Sequence, residues 1–171
     1  MIVDNVVAAP LLRRLRDLLD EAGRQDSDEV PPGNLVRGLA ELVPGVFGTF
    51  CELDLAQRQV LTYQAADGVA ADPVELDGYW RLRHQHPACH FLTTTGRTDV
   101  VQITDFITAK QFRDREIWTE LYRPMGVEHI MCVPLPTAPG RTRVFLFGRE
   151  AGSGFTEAER MMLTLLQPHL F

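Results

Sequence analysis

Apolar residues recur at helical spacing near both ends of the chain. The N-terminal stripe consists of Leu11, Leu12, Leu15, Leu18, Leu19 and Ala22. Steps of three and four residues, with charged residues between them, predict an amphipathic helix that ends at Gly23. Near the C-terminus, Thr156 and Glu159 have capping-box spacing before a run rich in Met and Leu. This pattern predicts a last helix whose apolar residues run nearly all round.

Four short runs in the middle of the chain have the composition of β-strands. Residues 46–54 and 60–66 are rich in β-branched, aromatic and small apolar side chains and are separated by a short polar segment. Residues 129–135 and 143–149 show the same composition around a Pro-Gly turn. The spacing predicts two antiparallel hairpins.

The segment between the two hairpins is predicted to be helical. Asp77 is expected to cap a short helix, and Pro87 suits the first position of another helix that Gly96 would end. Thr108 and Gln111 form a second capping box, which predicts the start of a longer helix. This insertion carries most of the tyrosine and tryptophan residues of the chain.

With a further helix at 35–43, these elements predict a single α+β domain with an antiparallel sheet flanked by helices. A length of 171 residues, 45% of them hydrophobic and 23% charged, is typical of one globular domain. The predicted parts are an N-terminal amphipathic helix, a linker, the sheet with its helical insertion, and a C-terminal helix, over residues 1–23, 24–33, 34–154 and 155–171.

The net charge and the cysteines indicate which partners and which cellular compartment suit the domain. A formal net charge of -6 disfavours direct contact with a phosphate backbone. Cys51, Cys89 and Cys132 are odd in number and far apart in apolar surroundings, which favours reduced thiols in the cytoplasm. The sequence shows neither a secretory signal pattern nor a long apolar run, so we expect neither secretion nor membrane insertion.

Several motifs resemble the sensor halves of LuxR-type bacterial transcription regulators that have a GAF-like N-terminal domain. The matching segments are His86-Pro87, Ile103-Thr104-Asp105-Phe106 leading to Gln111-Phe112, and Leu121-Tyr122-Arg123-Pro124-Met125-Gly126-Val127-Glu128-His129. The closing stretch from Phe155 to Leu170 resembles the helix that precedes the helix-turn-helix domain in this family. The resemblance covers the chain from about residue 45 to its end.

The resemblance implies a six-stranded antiparallel sheet flanked by helices, with the N- and C-terminal helices packed together. It also implies a homodimer that senses a small molecule and relays its presence to a DNA-binding domain. That domain is not part of this sequence, so we expect the chain to be a portion of a longer protein, the alternative being a stand-alone sensor. The ligand is not implied by the resemblance, and no catalytic activity or cofactor is expected.

An aromatic and polar set around the insertion forms the candidate ligand site. Its members are Tyr63, Tyr79, Trp80, Phe112, Trp118, Tyr122 and His129. Ligand pockets are mostly apolar with a few placed polar groups, and Tyr, Trp and His side chains supply both. Simple core packing is the alternative, and it would leave a dimerisation module without a ligand.

The densest cluster of possible metal ligands is the segment from His84 to His90, which holds three imidazoles and the thiol of Cys89. Its spacing fits no known zinc pattern, and a helix starting at Pro87 would direct Cys89 and His90 apart. We therefore favour helix capping near His86 and expect no metal. A cysteine- or metal-dependent redox enzyme or sensor is the remaining alternative, although the sequence shows no catalytic triad.

Overall fold

The computed structural model describes residues 13–14, 16–20, 23, 31 and 33–170. The helices are α1 Gly33–Leu42, α2 Pro73–Leu82, α3 Pro87–Thr95, α4 Ala109–Arg113 and α5 Glu157–Leu166. The strands are β1 Phe47–Asp54, β2 Gln59–Ala65, β3 Val101–Gln102, β4 His129–Leu135 and β5 Arg141–Arg149. No helix in the described part of the chain has the length and apolar character needed to cross a bilayer.

The described strands form one antiparallel sheet with the order β2-β1-β5-β4-β3. Both predicted hairpins are present, and the central strands β1 and β5 join them edge to edge. The predicted α+β class is confirmed, with five strands in place of about six. The last strand in the sheet order is the two-residue β3, which pairs with β4 at the edge of the sheet.

Successive side chains of a strand point to opposite faces, so the sheet separates two buried clusters. On β1 and β5, Phe50 and Phe145 are opposite each other and belong to the first cluster. The neighbouring pair, Cys51 and Val144, belongs to the second cluster on the other face. Each face is covered by helices, which gives three layers.

The first face is covered by α1 and α5. Their fully buried leucines, Leu39 and Leu163, join the cluster of Phe50 and Phe145. Leu18 joins the same cluster from the described part of the N-terminal helix, where residues 13, 14 and 16–20 are helical. Other residues used to predict that helix, namely Leu11, Leu12, Leu15 and Ala22, lie outside the described residues.

The second face is covered by the insertion, whose helices begin at side-chain caps. Asp72 caps α2 by accepting a hydrogen bond from the backbone N of Val74, so the prediction that Asp77 caps this helix is wrong. Pro73 occupies the first turn, where its missing N–H costs nothing, and the helix starts five residues earlier than predicted. Gly96 ends α3 with a left-handed conformation, as predicted.

The predicted longer helix from Thr108 is also wrong, because α4 ends after five residues at Arg113. The capping box of Thr108 and Gln111 is present. Further on, the backbone N of Ile117 donates to the side-chain Oε1 of Gln85 at 3.1 Å, so it is not available for continuing the helix from α4. A π-helical turn follows at Trp118–Tyr122. A side chain from another element therefore interrupts a sequence that is helical by its own periodicity.

Candidate ligand-binding site

A cavity of about 170 Å³ lies between the second face of the sheet and the insertion. Its floor is formed by alternate residues of the strands, among them Thr49, Cys51, Cys132, Val144 and Leu146. Its other walls come from α2, α3 and the π-helical turn. Most of the lining is apolar, with a few hydroxyl, thiol, imidazole and guanidinium groups and the Asp72 carboxylate among the apolar side chains. This composition is typical of a small-molecule pocket.

The start of α3 places His86 and Cys89 at the cavity. His86 is 1% exposed and lines the cavity as the N-cap of the helix. Its Nδ1 accepts a hydrogen bond from the backbone N of Cys89 at 3.2 Å, which confirms the predicted capping role. The His86 side chain also forms a hydrogen bond with the Cys89 side chain. Cys89 lies in the first helical turn, and its side chain lines the cavity.

All three cysteines of the chain line this cavity as free thiols, although they are far apart in sequence. Burial raises the pKa of the Cys51 thiol to about 12 and that of the Cys132 thiol well above its ordinary value. Burial also opposes ionisation of Cys89. There, the neighbouring His86 and Arg83 and the hydrogen bond with Tyr79 outweigh burial, and the pKa of the Cys89 thiol is lowered.

Three tyrosine hydroxyl groups add polar character to the walls. The Tyr79 hydroxyl lies 3.5 Å from Sγ of Cys89, and Tyr63 lies opposite Cys51 in the pairing of β1 with β2. Burial raises the pKa of Tyr79 and of Tyr122, so both are neutral phenols that can donate a hydrogen bond. The Tyr122 hydroxyl has no hydrogen-bond partner within the described part of the chain.

Of the seven residues predicted as the ligand site, the structure brings Tyr63, Tyr79 and Tyr122 together at the cavity. Phe112 lies outside the lining as a fully buried core residue, with its ring centroid 5.7 Å from that of Tyr122. The Trp118 ring packs in the core of the insertion, and its Nε1 donates to the carbonyl of Val127 at 3.1 Å.

The remaining two predicted residues also lie outside the lining. The Trp80 ring packs edge to face on Tyr79, at 5.5 Å between centroids. His129 starts β4 in the same alternation as Met131, which places it on the first face of the sheet, away from the cavity. Its buried Nε2 has no hydrogen-bond partner among the described residues.

Sequence reasoning missed the convergence of the three thiols. The apolar surroundings of Cys51 and Cys132 in the sequence agree with their burial but do not show that they share a cavity with Cys89. Strand alternation was the signal that could have found them, because both cysteines fall on the face opposite that of Phe50 and Met131. The position of Cys89 in the first turn after Pro87 was a second signal.

The histidine-rich segment does not gather into a metal site. His84 and His90 are exposed, whereas Cys89 faces the cavity. Within the described residues, no group of three or more His, Cys, Asp or Glu side chains is arranged to hold a metal ion. The expected divergence of Cys89 and His90 along the helix is therefore present.

Comparison with known proteins finds a structure of similar fold but no matching sequence family. No family model and no curated protein matches the chain. The crystal structure of the VqsR LBD domain from Pseudomonas aeruginosa is similar, with a TM-score of 0.58 and 16% sequence identity. The match covers 93% of this chain and 90% of that chain. The likeness is one of fold.

Proposed function

We propose that this chain is a non-catalytic sensor domain of a transcription regulator. In this proposal a compact, largely apolar molecule binds in the cavity between the sheet and the insertion. The observation that carries the proposal is a mostly apolar cavity whose wall includes the Tyr122 hydroxyl, which has no hydrogen-bond partner among the described residues. The fold likeness supports it, because the VqsR domain is the ligand-binding domain of a LuxR-type regulator.

The size of the cavity limits the class of ligand. An engineered cavity of about 150 Å³ in another protein binds benzene, so a cavity of 170 Å³ suits a molecule built around one six-membered ring. The phenol of Tyr122 and the guanidinium of Arg83 supply hydrogen-bond donors, which favour a ligand with a carbonyl or hydroxyl oxygen. We expect Tyr63, Tyr79 and Tyr122 to contact it.

Filling the cavity from its floor tests the proposal. Val144 is buried on the central strand β5 and lines the cavity, so the ring in Val144→Phe would occupy ligand space. We expect some small cyclic carbonyl or phenolic compounds to stabilise the natural chain. At one hundred times its dissociation constant such a ligand adds about 2.7 kcal/mol, a rise in Tm of about 5–10 °C. The Val144→Phe variant should lose this rise.

The matched control adds the same ring outside the cavity. Leu165 is 69% exposed on α5, so Leu165→Phe should keep the full rise in Tm with every active compound. A rise that survives in Val144→Phe would place binding elsewhere. If no compound stabilises the natural chain and Val144→Phe is more stable than it, the cavity is only a packing defect and the domain is a dimerisation module without a ligand.

We further propose that the domain is a homodimer of GAF-like type that relays ligand binding to a helix-turn-helix domain outside this chain. The supporting observation is on α5, where Met161 is 64% exposed and Leu165 is 69% exposed. Large apolar side chains exposed on one helix are typical of an interface. Sedimentation should therefore give a dimer that Leu165→Glu shifts toward monomer. A natural chain that sediments as a monomer would contradict this part of the proposal.

A further inference from the structure

The thiol of Cys89 differs from the other two thiols of the cavity in its electrostatic surroundings. It lies in the first turn of the nine-residue helix α3, where backbone N–H groups favour negative charge. The Tyr79 hydroxyl is 3.5 Å from its sulfur, and His86 and Arg83 are neighbours. These groups stabilise a thiolate, which is the reactive form of cysteine.

Cys51 and Cys132 provide an internal comparison in the same cavity. Both lie on strands with no helix N-terminus or cationic side chain to favour their thiolates, and burial holds them neutral. They cannot form a disulfide with each other, because β5 lies between their strands. Two strand spacings place their Cα atoms at least about 9.5 Å apart, beyond the reach of a disulfide. The cavity therefore presents one activated and two inert thiols.

One further polar group at the cavity has no protein partner. The Tyr122 hydroxyl forms no hydrogen bond within the described part of the chain, and its residue lines the cavity. Polar groups held away from bulk water are normally paired, so its position at a cavity indicates that a ligand completes it. A ligand oxygen would satisfy the Tyr122 hydroxyl.

We propose that Cys89 captures compact α,β-unsaturated carbonyl compounds by adding its sulfur to their carbon–carbon double bond inside the cavity. The inference rests on the proposed function, because the same cavity is the ligand site. It goes beyond that function by naming the chemical class of the ligand and a covalent mode of binding. One activated thiol, an apolar cavity of one-ring size and donors for a carbonyl oxygen all point to this class.

The step needs no oxidant and leaves every atom accounted for. The Cys89 thiolate forms a carbon–sulfur bond to the β-carbon, and the π electron pair of the double bond moves to give an enolate. The N–H and O–H groups of Arg83 and Tyr122 line the same cavity and can donate to the enolate oxygen. A proton then adds at the α-carbon and matches the proton that the thiol lost. The product is a thioether.

Incubation of the natural chain with 2-cyclohexen-1-one tests the proposal. Intact-protein mass spectrometry should show a single adduct, and peptide mapping should place it on Cys89. The rate at Cys89 should exceed the rates at Cys51 and Cys132 by at least about tenfold, since only its thiolate is favoured. Because mapping uses the natural chain, the result does not depend on how any variant folds.

Three variants sharpen the test. Cys89→Ser should form no adduct, whereas the matched control Cys132→Ser should react at the natural rate. Val144→Phe, which fills the cavity, should slow the reaction at Cys89 by at least about tenfold, as expected if bound geometry drives the reaction. Equal modification of all three cysteines, or none under conditions in which glutathione reacts, would overturn the proposal.

Saturated cyclohexanone separates the inference from the proposed function. It has nearly the same shape and the same oxygen but no double bond to attack. If cyclic compounds such as cyclohexanone raise Tm and Val144→Phe abolishes the rise, while the enone forms no adduct, the sensor function stands and covalent capture fails. An adduct on Cys89 that forms as fast in Val144→Phe would contradict covalent capture in the cavity, because the reaction would then not use the cavity, while the Tm measurement would still decide the sensor function.

Discussion

Replacing Arg149 by Ala is expected to lower the free energy of unfolding by about 3 kcal/mol. The Arg149 guanidinium donates to the carbonyls of Pro44 and Gly154 at 2.9 and 3.0 Å and to the Glu159 carboxylate at 2.7 Å. It also lies over the Phe155 ring, 4.4 Å from the centroid. The side chain is 16% exposed, so the variant leaves a half-buried carboxylate and two carbonyls without their charged partner.

Urea unfolding followed by circular dichroism measures this loss. The matched control is Arg141→Ala on the same strand, because Arg141 is 49% exposed and lies 3.8 Å from Glu52. Exposed ion pairs contribute little, so the control should lose no more than about 0.5 kcal/mol. A loss below 1 kcal/mol for Arg149→Ala, or equal losses in the two variants, would show that the Arg149 contacts do not anchor α5 to the sheet.

The ion pair between Arg149 and Glu159 makes the free energy of unfolding depend on pH. Burial alone would raise the pKa of Glu159, but hydrogen bonds from Arg149 and from the backbone and side chain of Thr156 outweigh it and lower this pKa. The carboxylate therefore stabilises the fold above its unfolded pKa of about 4.3, and this contribution is lost as pH falls through the lowered value. The stability difference between the natural chain and Arg149→Ala should thus shrink below about pH 4.

Phe112→Ala is expected to cost about 4 kcal/mol, the largest effect of any single change proposed for this domain. Phe112 is 1% exposed and is the buried residue of the short helix α4. Its ring forms a triangle with those of His86 and Tyr122, at centroid distances of 6.4 and 5.7 Å, and these two rings are 5.9 Å apart. Truncation removes ring contacts and leaves a void beside two residues of the ligand cavity.

Denaturant unfolding again provides the measurement, with two controls of graded size. Phe112→Leu keeps most of the volume and should lose less than half as much stability. Val74→Ala, at an exposed position of α2, should change stability by no more than about 0.5 kcal/mol. A loss below about 1.5 kcal/mol for Phe112→Ala would contradict a core role for Phe112.

Elements with local signals could be predicted from the sequence. The turn at Pro139-Gly140, the capping boxes at Thr108 and Thr156 and the proline at the start of α3 depend on residues close together in the chain. Their outcome is set by short-range hydrogen bonds and backbone preferences. The two hairpins follow from the same kind of information, because their strands are adjacent in sequence.

Features that depend on distant residues could not be predicted in this way. The end of α4 depends on Gln85, which is 32 positions away from Ile117 in the chain. Its side-chain oxygen accepts the hydrogen bond of the Ile117 backbone N–H. The division of the aromatic residues between core and cavity depends on how α2 and the π-helical turn pack on each other. His129 is a different case, because strand alternation with Met131 already places it on the first face.

The sheet is a single layer of strands. A molecule in the cavity would contact one face of this layer, and α1 and α5 pack on the other face. Cys51 and Phe50, adjacent on β1, face these two sides. A ligand can therefore act on α5 by displacing the strands, and the ion pair of Arg160 on α5 with Asp105 of the insertion offers a second route. By thermodynamic linkage, coupling between the cavity and α5 acts in both directions. A partner that docks on α5 and moves the strands must change ligand affinity by the same factor by which the ligand changes its docking.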